Sequence, residues 1–342
     1  MKKLFTILAL SLIFVGCSSS GEDMGELYFY NWGDYIDEEL VGEFESETGI
    51  RVISEYYDSN ETMYQKLKNS GSNYDLIIPS EYMIEKMIKE DMLEEINYDS
   101  IANFQYIEDG LKNNISDPEN KYTVPYMYGT LGILYNPTLV SSEINSWDDL
   151  WDENYKNNIF MYNSQRDSFA VALKKLGYSM NSTDEGELEE AKKLLIEQKP
   201  LVQAYVGDSV KDKMINGEAA LAVVYSGDAV FCQLENSDLE YIVPEEGTNY
   251  WVDFLAIPKG AENKENAEKF IDFLCRPDIA VRNGNYIGYT TANAEAIKSV
   301  DSSLLEASGY VVTMSDKNEL FKDLGESIEL YNEKWTEVLA SE

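Results

Sequence analysis

Histidine is missing from all 342 residues, and with it go the commonest general base and the commonest metal ligand. Hydrolase triads and His-based zinc sites therefore drop out. Cysteine is scarce: of three, Cys17 closes an N-terminal apolar run, which leaves Cys232 and Cys275 with no spacing that forces a bridge. A disulfide framework is excluded, and both read as small buried apolar residues. Basic side chains are few, 27 Lys and Arg against 63 Asp and Glu, for a net charge of −36. That balance speaks against nucleic acid and for a cationic ligand, although charge alone proves little, because most carboxylates simply form a solvated face. Beyond Val15 no run is apolar enough to span a bilayer, nothing repeats, and only the serines after Cys17 form a low-complexity stretch.

What is present begins with an export signal: two lysines, an apolar run from Leu4 to Val15, then Gly16-Cys17 and a polar, serine-rich stretch. Gly16-Cys17 resembles the lipobox of bacterial lipoproteins, in which the cysteine becomes the lipidated first residue; Phe14 departs from the smaller aliphatic residue usual three places earlier. The expected organisation is a leader over 1–16, a lipid anchor and linker over 17–25, and an extracytoplasmic protein held to the membrane through Cys17. The remainder is long enough for two domains, since single cores rarely grow beyond roughly 250 residues.

Along the mature chain, strands alternate with helices. Glu26 to Asn31 and Ile50 to Tyr56 read as strands, and between them Asp37 to Thr48 sets Leu40, Val41 and Phe44 on one helical face before Gly49. Asn60 is placed to cap a helix, Tyr74 to Ile78 is a short buried-strand run, and Pro79-Ser80 leads into a helix bearing Met83, Ile84, Met87 and Ile88. After an irregular stretch near 101–121 the alternation resumes: strands at Gly132–Tyr135, Asn158–Tyr162, Leu201–Tyr205, Ala219–Tyr225 and Tyr250–Ile257. Helices are expected over Asp167–Leu176, Glu187–Gln198, Asp208–Asn216, Lys264–Leu274 and the tail from Leu320 to Leu339. This pattern argues for α/β architecture with open sheets flanked by helices.

In such sheets ligands bind beyond the carboxyl ends of the strands. Those positions carry Trp32, Asp34 and Tyr35 after the first strand, Ser80 and Tyr82 after the third, and Tyr225 and Asp228 at the end of another. Trp251 and Asp253 are two apart in a strand and so share a face. Each admits a plain reading: core or rim packing for the aromatics, a turn for Asp34, a helix N-cap for Asp228, a first-turn acid for Asp167. The recurrence of aromatic and acid at several strand ends points further. An alkyl polyammonium needs carboxylates to replace the hydration of its ammonium groups, and flat rings to line its methylene stem.

Several stretches, YNWGDYI, FESETGIRVISEYYDSNETMYQKL, YDLIIPSEYMIEKM, SWDDLWDENYK, ALKKLGYS, YWVDFLAIPKGAENKENAEKFIDFLCRPDIA and IGYTTAN, resemble the periplasmic spermidine/putrescine-binding proteins of bacterial ABC importers. The resemblance runs over nearly the whole mature chain. It implies a two-lobed periplasmic-binding-protein fold of type II, each lobe an open mixed sheet flanked by helices, with two hinge crossovers, lobe 1 from 26–128 plus 254–298 and lobe 2 from 129–253 plus 299–342. It implies a monomeric receptor that closes on a polyamine and delivers it to permease subunits, with no cofactor, no metal and no catalysis. By motif it assigns ligand contacts to Trp32, Asp34, Tyr35, Ser80, Tyr82, Asp167, Tyr225, Asp228, Trp251, Asp253 and Tyr289. Ser164 stands where some members have a second acid, Tyr225 replaces a tryptophan many relatives carry, and Asp228 is like the acid of putrescine-preferring members. Competing readings are a same-fold receptor for thiamine, a quaternary amine or an iron complex, a carboxylate-pair glycosidase, and a surface adhesin or sensor.

Overall fold

The computed structural model describes residues 25–70, 73–312 and 315–341; the leader and Cys17 lie outside them. The chain opens with β1 (Glu26–Trp32), α1 (Glu38–Thr48), β2 (Arg51–Tyr57), α2 (Asn60–Ser70), the two-residue β3 (Leu76–Ile77) and α3 (Glu81–Lys89). Asp37 caps α1 by accepting from the Glu39 amide, Leu40, Val41 and Phe44 are its buried face, and Gly49 ends it at φ 72°, a left-handed conformation glycine adopts without penalty. Asn60 does not cap α2. Ser59 does, accepting from the Thr62 amide at 3.2 Å, which frees the Asn60 side chain for a longer-range task.

Single 3₁₀ turns fill the stretch near 98–106, and β4 (Thr123–Tyr135) follows, three times longer than the sequence suggests. Pro125, Gly129 and Gly132 disguise it. The proline sits at a register shift between Pro125 and Met127, where a missing N–H is tolerated. A Cβ on Gly129 would lie 2.6 Å from the Trp251 ring, and one on Gly132 2.5 Å from Tyr241, so only bare backbone fits at either place. The chain continues through β5 (Ile159–Tyr162), α4 (Gln165–Lys175), α5 (Glu185–Gln198), β6 (Val202–Val206), α6 (Val210–Ile215), β7 (Leu221–Tyr225), α7 (Ser226–Glu235) and β8 (Glu240–Ile242). Then come β9 (Tyr250–Ala256), α8 (Lys264–Leu274), α9 (Pro277–Ile287), β10 (Thr290–Thr291), α10 (Ser302–Glu306) and α11 (Ile328–Ala340). The expected tail helix thus begins later than Leu320, whose neighbour Glu319 instead bridges to Asn249.

Two mixed sheets result, and β4 belongs to both. In the first, β1 pairs parallel with β2 and β3, and antiparallel β9 lies between β3 and β4, with β10 also on β4. In the second, the other half of β4 pairs antiparallel with β7 and β8, while β5 pairs parallel with β6 and β7. One core, including Phe29, Phe44 and Phe270, lies on the first sheet, and separate cores on the second are built around Trp147, Tyr155 and Phe160. Cys232 and Cys275 are free and buried in different cores. Among the described residues no helix is long and apolar enough to cross a membrane.

Candidate functional site

β1 delivers Trp32, and the chain then turns through Asp34, which is exposed and left-handed at φ 52°. The turn sends Tyr35 back inside, where its hydroxyl donates to Asp253 Oδ2 at 2.7 Å. Asp253 and Trp251 stand on β9, a strand buried at every position. Ser80, at the entry to α3, faces Asp253 across an isolated antiparallel bridge. Asn60 fixes that entry: its Nδ2 donates to Ser80 Oγ at 3.0 Å and its Oδ1 accepts from the Ser80 amide at 3.2 Å.

The opposite end is built by the second sheet. Ser164 caps α4 and so sets Asp167 in the first turn, where Oδ2 accepts from the Tyr225 hydroxyl at 3.0 Å. β7 passes into α7 without a loop, which puts Asp228 in that helix's first turn. A Cβ on Gly227 would fall 2.3 Å from the Tyr289 ring, so glycine alone lets the start of α7 seat against that ring.

Between the ends runs a row of rings in edge-to-face contact. Tyr35 and Tyr289 are 5.9 Å apart by centroid, Tyr289 and Trp251 5.1 Å, Trp251 and Tyr225 6.1 Å. A carboxylate closes each end, Asp253 through Tyr35 and Asp167 through Tyr225, and Asp228 follows the Gly227 that seats against Tyr289. Three buried atoms in this row have no hydrogen-bond partner: Asp253 Oδ1, Asp167 Oδ1 and Trp251 Nε1. Buried polar atoms left unpaired cost of order 1–3 kcal/mol each, so their clustering in one place calls for a functional reason.

Burial sets the electrostatics. It pushes the Asp253 carboxyl up to about 6 against the lowering pull of Ser80 and Tyr35, and Asp228 up to about 6 against that of Lys211. It also raises Asp167, while Ser164, Tyr225 and Arg166 pull down. Tyr35, Tyr225 and Tyr289 are pushed well above the ordinary phenol range, first by burial and then by neighbouring carboxylates. These phenols stay protonated and donate, so the row offers ring faces and acceptor oxygens. Such a lining suits a cation with an apolar body.

Of the residues expected from sequence, Tyr35, Ser80, Asp167, Tyr225, Asp228, Trp251, Asp253 and Tyr289 come together. Trp32 stands beside them, its Nε1 donating to Ile78 O at 2.8 Å and its ring 4.6 Å from that of Tyr57. Tyr82 turns to Asn60 and Glu61 through its hydroxyl, and its ring lies 5.7 Å from the Arg166 guanidinium. Asp34 stands on its exposed turn immediately before Tyr35. Sequence reading missed three residues. Tyr162, at the end of β5, packs 5.1 Å from Tyr225, and its strand-end position is a signal that could have found it. Lys211 lies 3.7 Å from Asp228. Glu81 is fully buried, accepting from the Val252 amide at 3.2 Å and the Phe321 amide at 3.1 Å, and burial with Asp253 nearby raises it to about 8. Its sequence position, the first turn of a helix, is ordinarily a solvent-exposed one for an acid, which hides this role.

Two sheets joined through a shared strand, with an aromatic and acidic row drawn from both, define a receptor that encloses a small solute. The chain belongs to the bacterial extracellular solute-binding proteins, whose family model matches residues 39–307. It is 38% identical over 339 residues to the spermidine/putrescine-binding periplasmic protein of Salmonella typhimurium, covering 98% of this chain and 97% of that one. Against the Escherichia coli protein of the same description the identity is 37% over the same coverage. Among solved structures, the spermidine/putrescine transporter substrate-binding protein PotD of Streptococcus pneumoniae superposes with a TM-score of 0.82 at 39% identity, over 92% of this chain and 98% of that one. The PotD lipoprotein of Treponema pallidum gives 0.84 at 28% identity, over 92% and 99%. The fold is that of the periplasmic binding proteins.

Proposed function

We propose that this chain captures polyamines, spermidine and putrescine, between two lobes and delivers them to the permease subunits of an ABC importer. The observation that carries the reading is the row of rings closed at both ends by a buried aspartate with one unpartnered oxygen. Asp253 pairs with the inner ammonium and Asp167 with a terminal one through charge-assisted hydrogen bonds, and the methylene stem lies along Tyr35, Tyr289, Trp251 and Tyr225. Ser80, Trp32 and Tyr82 form the lobe 1 wall, Asp34 the rim, and Asp228 part of the opposite wall.

In this reading lobe 1 comprises 26–128 and 254–298 and lobe 2 comprises 129–253 and 299–342, hinged where β4 and β9 pass between them. Cargo that touches both lobes favours the closed form by its differential affinity for it. No bond of the cargo is made or broken, and no cofactor takes part. The receptor works as a monomer, lipid-anchored at Cys17 outside the cytoplasm; the Treponema pallidum neighbour is described as a lipoprotein.

Calorimetric titration with putrescine, spermidine, thiamine and betaine tests the cargo. The polyamines bind with one-to-one stoichiometry and raise the melting temperature, since they bind the folded state alone. Silence with both polyamines, or tight binding of thiamine or betaine instead, overturns the reading.

A further inference from the structure

Asn60 is a buried amide, 4% exposed, that spends its bonds on the segment carrying Ser80 and Tyr82. Ser59 takes the capping bond at the head of α2, so the Asn60 side chain reaches across 20 residues of sequence to the entry of α3. Its Oδ1 accepts from the Ser80 backbone N–H at 3.2 Å. A backbone amide donates and cannot accept, so that bond decides which end of the carboxamide is oxygen. Nδ2 is thereby turned to two hydroxyls, donating to Ser80 Oγ at 3.0 Å and to the Tyr82 hydroxyl at 3.1 Å.

A hydroxyl oxygen that accepts from an amide keeps its own hydrogen to give, and each of these hydroxyls has a carboxylate to give it to. Tyr82 passes its hydrogen to Glu61 Oε1 at 3.0 Å. Ser80 faces Asp253 across the isolated antiparallel bridge, and its hydroxyl pulls the Asp253 carboxyl down, as a donor does. We propose that Asn60 is a positioning residue of the polyamine site: by donating to Ser80 Oγ it turns the serine hydrogen toward Asp253 and so fixes the carboxylate that meets the cargo's inner ammonium. The inference rests on the polyamine reading given above. Asn60 acts through Ser80 and not on the cargo. The other titratable groups acting on Asp253 are the phenols of Tyr35, Tyr57, Tyr126 and Tyr289, which burial keeps protonated, and the Glu81 carboxyl, which burial raises to about 8. They are common to every variant compared in the test.

Calorimetric titration with spermidine from about pH 5 to about pH 7.5 compares wild type, Asn60→Ala, Ser80→Ala and the double variant Asn60→Ala/Ser80→Ala, each first shown by thermal melting to be folded. Losing the serine hydrogen raises the Asp253 pKa, and binding that needs the ionised form is then lost at higher pH. In Asn60→Ala the midpoint of that loss moves up by about half a pH unit, so affinity below about pH 6 falls about threefold. Ser80→Ala moves the midpoint equally, and the double variant moves it no further than Ser80→Ala alone. A midpoint unmoved in Asn60→Ala, even with weaker binding, reveals a merely structural part and overturns the inference, as does a shift absent from Ser80→Ala or a double variant that sums the two singles. Asn60→Asp keeps the side chain's size and its bond to the Ser80 amide but accepts from the hydroxyls, and it carries the same comparison where Asn60→Ala does not fold. Its upward shift is larger with Ser80 present than in the Ser80→Ala background; equal shifts overturn the inference. A wild-type chain that ignores spermidine at every pH overturns the polyamine reading and the inference with it, whereas binding by wild type with an unmoved midpoint in the Asn60 variants overturns the inference alone.

Discussion

The two ends of the aromatic row solve one problem in different surroundings. At the first-sheet end, Asp253 has a second buried carboxyl close by, Glu81, and a tyrosine donor, with no positive side chain bonded to it. At the second-sheet end, Asp167 follows Arg166, which is itself buried, donates to Lys322 O and Asn181 Oδ1, and lies 4.3 Å from the Phe321 ring. Burial lowers the Arg166 pKa, yet the guanidinium remains a cation and pulls Asp167 downward. In the proposed reading the difference sets where cargo charge is held most firmly: attraction for an ammonium is concentrated at Asp253, and the arginine offsets part of it at Asp167.

The largest effect expected from breaking this asymmetry is in Asp253→Asn. Loss of a charged hydrogen bond costs about 1.5–3 kcal/mol, so calorimetry should show polyamine affinity falling about ten- to hundredfold. Unchanged affinity would remove Asp253 from its assigned role. Acid comes next. Asp253 and Asp228 both titrate near 6, and an ammonium needs the ionised form. Binding should therefore be full above about pH 7 and weaken about tenfold for each unit below about pH 6 per carboxylate used, with Asp253→Asn flattening that slope.

Asp167→Asn should cost less than Asp253→Asn, about three- to tenfold, because Arg166 already opposes the charge it removes. Equal losses would show that the arginine does not matter to cargo. The smallest expected effect is on the ligand-free protein. Glu81 is raised to about 8 from an ordinary value of 4.5. A carboxyl whose folded-state pKa is raised contributes stability that is fully present below its unfolded value and lost as pH rises through the folded value. The melting temperature without cargo should accordingly decline between about pH 5 and pH 9, and Glu81→Gln should make the decline shallower with no more than about a twofold change in affinity. An identical slope in the variant would place the titration elsewhere.

Much of the frame could be read from the chain. The helix over Lys264–Leu274 occurs with the expected bounds, because Ala267, Phe270, Ile271 and Leu274 mark one face without ambiguity. Trp251 and Asp253 share a side of β9 because a strand's period of two requires it. β4 was legible only in its last four residues, since proline and glycine normally end strands and nothing local reveals that a bulge and two close ring contacts demand them. α9 was missed for a related reason. It opens at Pro277 and buries Ile279, Ala280, Asn283 and Gly284, too polar a face to declare itself.

Local sequence was enough to determine the alternation of strands and helices, the acidity, the lack of histidine chemistry and the types of side chain at the strand ends, because these depend on residue identity and on spacings within a few turns. Tertiary structure alone decided that Asp253 and Asp167 close a single row, that Asp228 already has a lysine, and that Glu81 is buried against Val252 and Phe321. Those contacts join segments that lie from 17 to 240 residues apart, and whether a carboxylate is solvated, paired or stranded depends on what the folded chain brings beside it.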